Sequence, residues 1–110
     1  LIGIDSIPII EKFSGKSEDF AKVTFKMGFL DKMVKISEKH VFCKKFLIGY
    51  LGTLAGLDDD MTLAVAHLSN IIPLLEEQFQ RNNFEVQRNV MFTLSNICYV
   101  EDELIVNNVL

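Results

Sequence analysis

The sequence predicts an all-helical fold made of repeated units, and three observations lead to this prediction. Apolar residues between positions 84 and 98 recur at helical spacing, in the stripe Val86, Val90, Leu94 and Ile97. After a shift of 43 residues the chain aligns with itself, and this stripe falls on a second apolar stripe between His40 and Ala55. A short break followed by acidic residues recurs three times, before Glu18, Asp58 and Glu101.

The recurring breaks divide the chain into units of about 42 residues. Gly28 and Asn70, which stand 42 residues apart, each open a further helix inside a unit. The predicted units are a partial repeat over residues 1–15, repeats over 16–56 and 57–98, and a partial repeat over 99–110. Each full unit is expected to hold one short and two longer helices.

The first partial unit predicts a helix that begins near Ser6, with Pro8 in its first turn and core positions at Ile10 and Phe13. A turn is expected over residues 14–17, and a short helix over 18–27. The apolar stripe of that short helix comprises Phe20, Val23 and Met27.

A second helix over residues 29–37 is expected to turn Leu30, Met33 and Val34 inward. The third helix of this unit spans residues 40–55. Its two glycines, Gly49 and Gly52, lower its intrinsic stability, so their expected use is the close approach of a neighbouring helix.

The next unit begins after Gly56, where three aspartates at 58–60 cap a short helix that extends to about residue 68. A helix over 71–80 follows, with Pro73 in its first turn. Its expected stripe is Ile72, Leu75 and Phe79. Asn83 then caps the helix that carries the first stripe. That helix is expected to end near Cys98, before another short helix.

Composition limits the possible functions. Of the 110 residues 49% are hydrophobic. We therefore expect that the chain belongs to a longer array or pairs with a neighbour. The alternative is a helical domain with fully buried helices. No apolar run reaches the ~18 residues that span a membrane. The net charge of −4 argues against a nucleic-acid partner. Cys43 and Cys98 both fall on predicted core faces, which favours a reducing compartment over a disulfide.

No catalytic or metal-binding pattern is present, so we expect neither an enzyme nor a cofactor. His40 and His67 lack the spacing of a zinc site. The aspartates at 58–60 lack the glycine and distal glutamate of a calcium loop. Cys43 has lysines beside it that would activate a thiolate, but a core role is favoured.

The candidate binding residues are Glu85, Asn89, Phe92 and Asn96. They follow their own helical line on a second side of the helix that carries the first stripe. A helix that only needed a core would not require an aromatic and an amide there. The alternative is that Phe92 is extra core and Asn96 is a solvated surface amide.

The period and the helix pattern resemble those of the armadillo repeat, most closely the importin-alpha (karyopherin alpha) branch. The resemblance is carried by NIIPLL at 70–75, EVQRN at 85–89 and FTLSNI at 92–97. It implies a right-handed α-superhelix of about three partial repeats, whose third helices line a concave groove. By this resemblance Phe92 would pack on lysine or arginine stems of an extended peptide, and Asn96 would pair with its backbone.

The implied function is that of an adaptor in the cytoplasm and nucleus that binds basic nuclear-import-signal peptides. Two departures from the family pattern bear on it. Phe92 stands where tryptophan is usual, and the aligned positions of the preceding repeat are Gly49 and Thr53. The alternative function is therefore a structural scaffold that docks other subunits without binding an extended peptide.

Overall fold

The computed structural model describes the backbone of residues 3–109 and the side chains of residues 3–101. This part of the chain is all helical and contains no strand, which confirms the predicted all-α class. The helices are α1 (Ser6–Lys16), α2 (Glu18–Lys26), α3 (Phe29–Lys39), α4 (Lys44–Ala55), α5 (Asp59–Ala66), α6 (Ile71–Phe79) and α7 (Phe84–Val109). A short 3-10 helix, Val41–Cys43, leads into α4.

Three helix starts are fixed by side-chain caps. Ser17, Asp58 and Asn83 each accept a hydrogen bond from the backbone N–H three residues later, at 3.2, 2.8 and 3.1 Å respectively. Such caps satisfy N–H groups that have no partner inside the helix. The predicted caps at Asp58 and Asn83 are therefore confirmed.

The turns before α3 and α6 have the same backbone conformation. Gly28 and Asn70, the N-cap residues of these two helices, are both left-handed, with φ of 82° and 61°. Glycine reaches this region without strain, and asparagine tolerates it better than most residues. The predicted spacing of 42 residues between the two turns is thus matched by a shared local geometry.

Helix α4 lies at the centre of the fold. It packs against α1 on one side and α7 on the other, and it also contacts α3, α5 and α6. Tyr50, which is completely buried, lies 2.8 Å from the hydroxyl of Thr24 on α2. Thr24 donates to the carbonyl of Ala21, so it accepts from the Tyr50 hydroxyl, and both buried hydroxyls have partners.

The buried stripe of α7 has Thr93 where Leu94 was predicted, and it continues to Val100. It comprises Val86, Val90, Thr93, Ile97 and Val100, whereas Leu94 is only half-buried. At 100° per residue, a step of seven from Val86 returns to within about 20° of the starting direction, whereas a step of eight overshoots by about 80°. Thr93 therefore faces the core, and Leu94 lies at its edge.

The predicted stripe of α2 is wrong in phase. Phe20, Val23 and Met27 are exposed, and α2 instead buries Ala21 and Thr24. These smaller residues let α2 approach α1 closely, and Thr24 reaches Tyr50 of α4, while the bulky side chains remain outside the contact. On α1, Phe13 is likewise exposed, and the buried residues there are Ile7, Ile10 and Ser14.

Two further expectations about burial are corrected. On α6 only Leu75 of the predicted stripe is buried, whereas Ile72 and Phe79 are exposed, because no helix among the described residues covers that side. Cys43 is buried as predicted, but Cys98 is exposed, so it does not lie on a core face.

Two predicted breaks also differ. α1 continues through Lys16, so the break before α2 is the single residue Ser17 rather than a turn over 14–17. α7 continues past the predicted end at Cys98 and reaches Val109 without interruption. Tyr99 occupies the place where Gly56 ends α4, and a tyrosine has no tendency to stop a helix. No helix in the described part of the chain is long and apolar enough to cross a membrane.

Candidate functional site

The four predicted binding residues lie on one side of α7, along its contact with α4. Glu85 is exposed, Asn89 and Asn96 are half-buried, and Phe92 retains 50% of its surface exposed. Their spacing of four, three and four residues keeps them on one face of the helix. The structure therefore brings together the side chains that the sequence selected.

This face packs against two glycines, Gly52 in α4 and Gly56 at its C-cap, and the approach is tight only at Gly56. A β-carbon built at Gly52 would lie 3.6 Å from the Asn89 Oδ1, and one built at Gly56 would lie 3.0 Å from the Phe92 ring. The Phe92 ring thus rests on the backbone where α4 ends, with its other face open. Of the two glycines expected to serve close helix approach, Gly49 lies under the Glu11 side chain of α1, whereas Gly52 has room for a β-carbon, so the expectation does not hold for Gly52.

The Asn96 amide folds back on its own helix. Its Nδ2 donates to the carbonyl oxygen of Phe92 at 2.9 Å. An amide nitrogen carries two N–H donors and the amide oxygen accepts, so a second donor and the acceptor stay accessible to a partner. The arrangement can therefore pair with both the N–H and the C=O of an extended main chain.

Glu11 of α1 is a member of this face that the sequence did not select. A β-carbon built at Gly49 would overlap the Glu11 side chain, so the carboxylate lies directly over α4. Burial raises the pKa of Glu11 above its ordinary value, and the charge of Glu85 raises it further. Two carboxylates from α1 and α7 thus converge across α4. The mid-helix glycine signalled that a neighbour fills this space, but not which residue does so.

A cavity of about 170 Å³ lies between these acids. Its lining includes Glu11 and Glu85 together with Lys45, Phe46 and Asn89. The Lys45 ammonium stands 5.0 Å from the centre of the neighbouring Phe46 ring. With two carboxylates against the one ammonium of Lys45, the lining keeps a negative balance and suits a cationic side chain better than an anion.

The lysine pair that begins α4, Lys44 and Lys45, is divided between two roles. Lys44 donates to Glu77 of α6 at 3.1 Å, and Arg81 approaches the same carboxylate at 3.6 Å. The hydrogen bond from Lys44 is the main reason why the pKa of Glu77 lies below its usual value. Lys44 therefore ties α4 to α6, while Lys45 lines the cavity.

The described residues hold no metal-binding group, and the thiol of Cys43 is not activated. The described residues contain no group of three histidine, cysteine or acidic side chains placed to hold a metal ion. Burial raises the pKa of the Cys43 thiol, which disfavours the thiolate that nucleophilic chemistry needs.

Comparison with known proteins identifies no relative: no family model, no curated protein and no solved structure matches the chain. The resemblance to the armadillo repeat therefore stays a prediction, and function has to be argued from the side chains themselves.

Proposed function

We propose that the chain is a protein-interaction module of the armadillo type. In this proposal α1, α4 and α7 are third helices of successive repeats in a right-handed α-solenoid that extends into a longer array. Their shared surface is a concave groove that binds an extended, lysine-rich import-signal peptide. The molecule would act as an adaptor in protein transport between cytoplasm and nucleus.

The observation that carries the proposal is the convergence of Glu11 and Glu85 over α4, at a cavity that Phe46 also lines, with the half-exposed Phe92 ring further along the same face of α7. A lysine side chain entering the cavity would relieve the repulsion between the two acids, and its aliphatic stem would lie against an aromatic ring. Asn96 would hold the peptide main chain whatever its sequence, because its amide can donate and accept at once.

A second candidate is a scaffold that docks subunits through its helices and binds no extended peptide. Two observations favour it. Gly49 and Thr53 stand on α4 where a second aromatic–asparagine pair would be needed, and the Glu11 side chain fills the space over Gly49. Each repeat with such a pair adds contacts along a peptide, so a single pair limits the affinity that this groove can reach.

The test is titration of a synthetic lysine-rich peptide into the wild-type chain and into Asn96→Ala, at two salt concentrations. We expect Asn96→Ala to weaken binding by about ten- to a hundredfold, because peptide groups lose their partner. Higher salt should weaken the wild-type complex through screening of Glu11 and Glu85. Circular dichroism checks that the variant stays folded.

Matched controls come from the neighbouring positions. Ser95→Ala alters an exposed side chain beside Asn96 but off the proposed groove, and should leave binding unchanged. Met91 and Phe92 are similarly exposed, at 56% and 50%, so Met91→Ala is the matched control for Phe92→Ala. Only Phe92→Ala should weaken the complex, because Met91 lies off the proposed groove. Absence of binding at high micromolar peptide, or equal binding by Asn96→Ala, would reject the groove and favour the scaffold.

A further inference from the structure

A second cavity adjoins the one that Glu11 and Glu85 line. It has a volume of about 370 Å³ and lies where the 3-10 helix and the start of α4 meet the end of α6 and the start of α7. Its lining includes the apolar residues Val41, Phe42 and Val86 and the polar residues Lys45, Arg81 and Asn83. Lys45, Asn83 and Val86 also line the cavity of Glu11 and Glu85, so the two spaces share a wall.

The two adjoining cavities carry opposite charges. The first, the acidic cavity, has the carboxylates Glu11 and Glu85 against the ammonium of Lys45. The second, the basic cavity, has the cations Lys45 and Arg81, and no carboxylate of the described chain lines it. A ligand with a positive and a negative group close together would complement both cavities at once.

Both cations of the basic cavity are available to a ligand. Arg81 shares the Glu77 carboxylate with Lys44, which is closer, at 3.1 Å against 3.6 Å. A guanidinium carries five N–H donors, and one shared carboxylate leaves most of them free. Lys45 is exposed and forms an ion pair with neither Glu11 nor Glu85. Its flexible four-carbon stem lets the ammonium turn toward either cavity.

A further repeat of the array would not fill the basic cavity. Its walls come from α4, α6 and α7, and these three helices already pack against one another. The cavity therefore stays open where its neighbours along the chain are in place. This distinguishes it from the uncovered side of α6 at Ile72 and Phe79, which a following repeat would cover.

The spacing of an extended peptide suits two cavities with a common wall. Alternate side chains of an extended chain point to the same side, about 7 Å apart. A lysine and an acidic residue two positions away can therefore enter adjoining spaces. The aliphatic stem of the acidic residue would lie against Val41 and Phe42, which are 51% and 59% exposed.

We propose that the basic cavity binds the carboxylate of an acidic side chain in the same extended peptide whose lysine enters the acidic cavity. The inference rests on the proposed peptide binding and narrows the partner to peptides in which a glutamate or aspartate stands close to the lysine. Lys45 turns away from the incoming lysine and, together with Arg81, pairs with the incoming carboxylate.

The test uses the lysine-rich peptide of the titration above, with one uncharged residue replaced by glutamate. The glutamate stands two positions before the central lysine in one peptide and two positions after it in another, and glutamine replaces it in the matched controls. We expect one of the two glutamate peptides to bind about three- to fivefold more tightly than its glutamine control. General attraction to a chain of net charge −4 predicts the opposite sign, because glutamate lowers the positive charge of the peptide.

Three variants assign the effect to the basic cavity. Arg81→Gln should abolish the advantage of the glutamate peptide. Arg88→Gln removes the same charge from an exposed arginine that lines neither cavity, and should keep the advantage. Lys45→Gln should strengthen binding of the glutamine peptide about twofold, because it removes a competing cation, while it reduces the advantage of glutamate. Circular dichroism checks that each variant stays folded.

The outcomes separate this inference from the peptide groove itself. If the lysine-rich peptide binds but neither glutamate peptide binds more tightly than its control, the basic cavity takes no carboxylate and the inference fails alone. An equal loss of the advantage in Arg81→Gln and Arg88→Gln would also overturn it, because the effect would then be one of net charge. Absence of binding by all the peptides would reject the groove and the inference with it.

Discussion

Helices α4 and α7 align with each other after a shift of 43 residues, but they differ sharply in how many of their residues are buried. From Leu47 to Ala55, α4 buries every side chain except the half-buried Thr53. The equivalent part of α7, from Val90 to Cys98, buries only three positions. The two helices share an apolar pattern, so the difference arises from their neighbours: α4 packs against α1, α3, α5, α6 and α7, whereas the main described neighbours of α7 are α4, α5 and α6.

The comparison separates two faces that overlap in α4. On one face α4 buries Cys43, Leu47, Tyr50 and Leu54. These positions are equivalent to the residues that α7 buries, Val86, Val90, Thr93 and Ile97. On the other face α4 buries Ile48, Leu51 and Ala55. At a shift of 41 residues these positions are equivalent to the residues that α1 buries, Ile7, Ile10 and Ser14. A central helix needs both faces, and each outer helix buries one. This division follows from position in the fold rather than from helix propensity.

The largest expected effect comes from a pair of leucines at equivalent positions. Leu51 of α4 is completely buried, whereas Leu94 of α7 is half-buried at the edge of the core. Leu51→Ala should lower the free energy of unfolding by about 2–5 kcal/mol, because it removes core contacts and leaves a cavity. Leu94→Ala should cost roughly 1 kcal/mol, because solvent already reaches that side chain. Urea denaturation followed by circular dichroism measures both.

Equal losses for the two alanine variants would contradict the division into two faces. An unchanged denaturant slope for both variants is the necessary control, since it shows that the same surface is exposed on unfolding.

A smaller effect of opposite sign is expected at Gly52. A β-carbon there would lie 3.6 Å from its nearest neighbours, Asn89 and Thr93, which is ordinary contact. Gly52→Ala should therefore stabilise the chain by up to about 1 kcal/mol through helix propensity alone. Ser95→Ala, at the equivalent and exposed position of α7, is the control and should gain only a few tenths. A loss of stability in Gly52→Ala would mean that α4 and α7 pack more closely than this distance indicates.

Much of the fold was predictable from the sequence because its signals are local. The caps Asp58 and Asn83 and the left-handed turns at Gly28 and Asn70 depend on the residue and its immediate neighbours. The helix phases were harder, because burial depends on which helices lie alongside. Phe20, Val23 and Met27 form a good apolar stripe, yet the structure covers the opposite side of α2.

The candidate site was predictable in part for the same reason. Glu85, Asn89, Phe92 and Asn96 share one helix, so their common face follows from spacing alone. Glu11 lies 74 positions before Glu85, and no periodic pattern connects them. Only the packing of α1 and α7 on the same α4 brings the two carboxylates together. The end of α7 was missed because the acidic run after Tyr99 indicated a cap, although no glycine precedes it.

The smallest expected effect concerns Glu11. Its side chain covers Gly49 of α4, whereas Phe92, the residue of α7 equivalent to Gly49, is half-exposed. Burial and then the charge of Glu85 raise the pKa of Glu11 in the folded chain above 4.5, so folding favours its protonated form. The ionised carboxylate therefore destabilises the fold above that folded pKa, and the penalty fades as the pH falls toward and below 4.5. Glu11→Gln should raise the melting temperature at pH 7, and the gain should shrink to nothing near pH 4.

Glu77→Gln should behave in the opposite way, because its ion pair with Lys44 lowers the pKa of Glu77 and stabilises the fold only above that pKa. Melting curves of both variants from about pH 3 to pH 7 measure the two effects, because the Glu77 contribution is lost only below pH 4.5. A Glu11→Gln gain that persists at pH 4 would rule out ionisation as its cause.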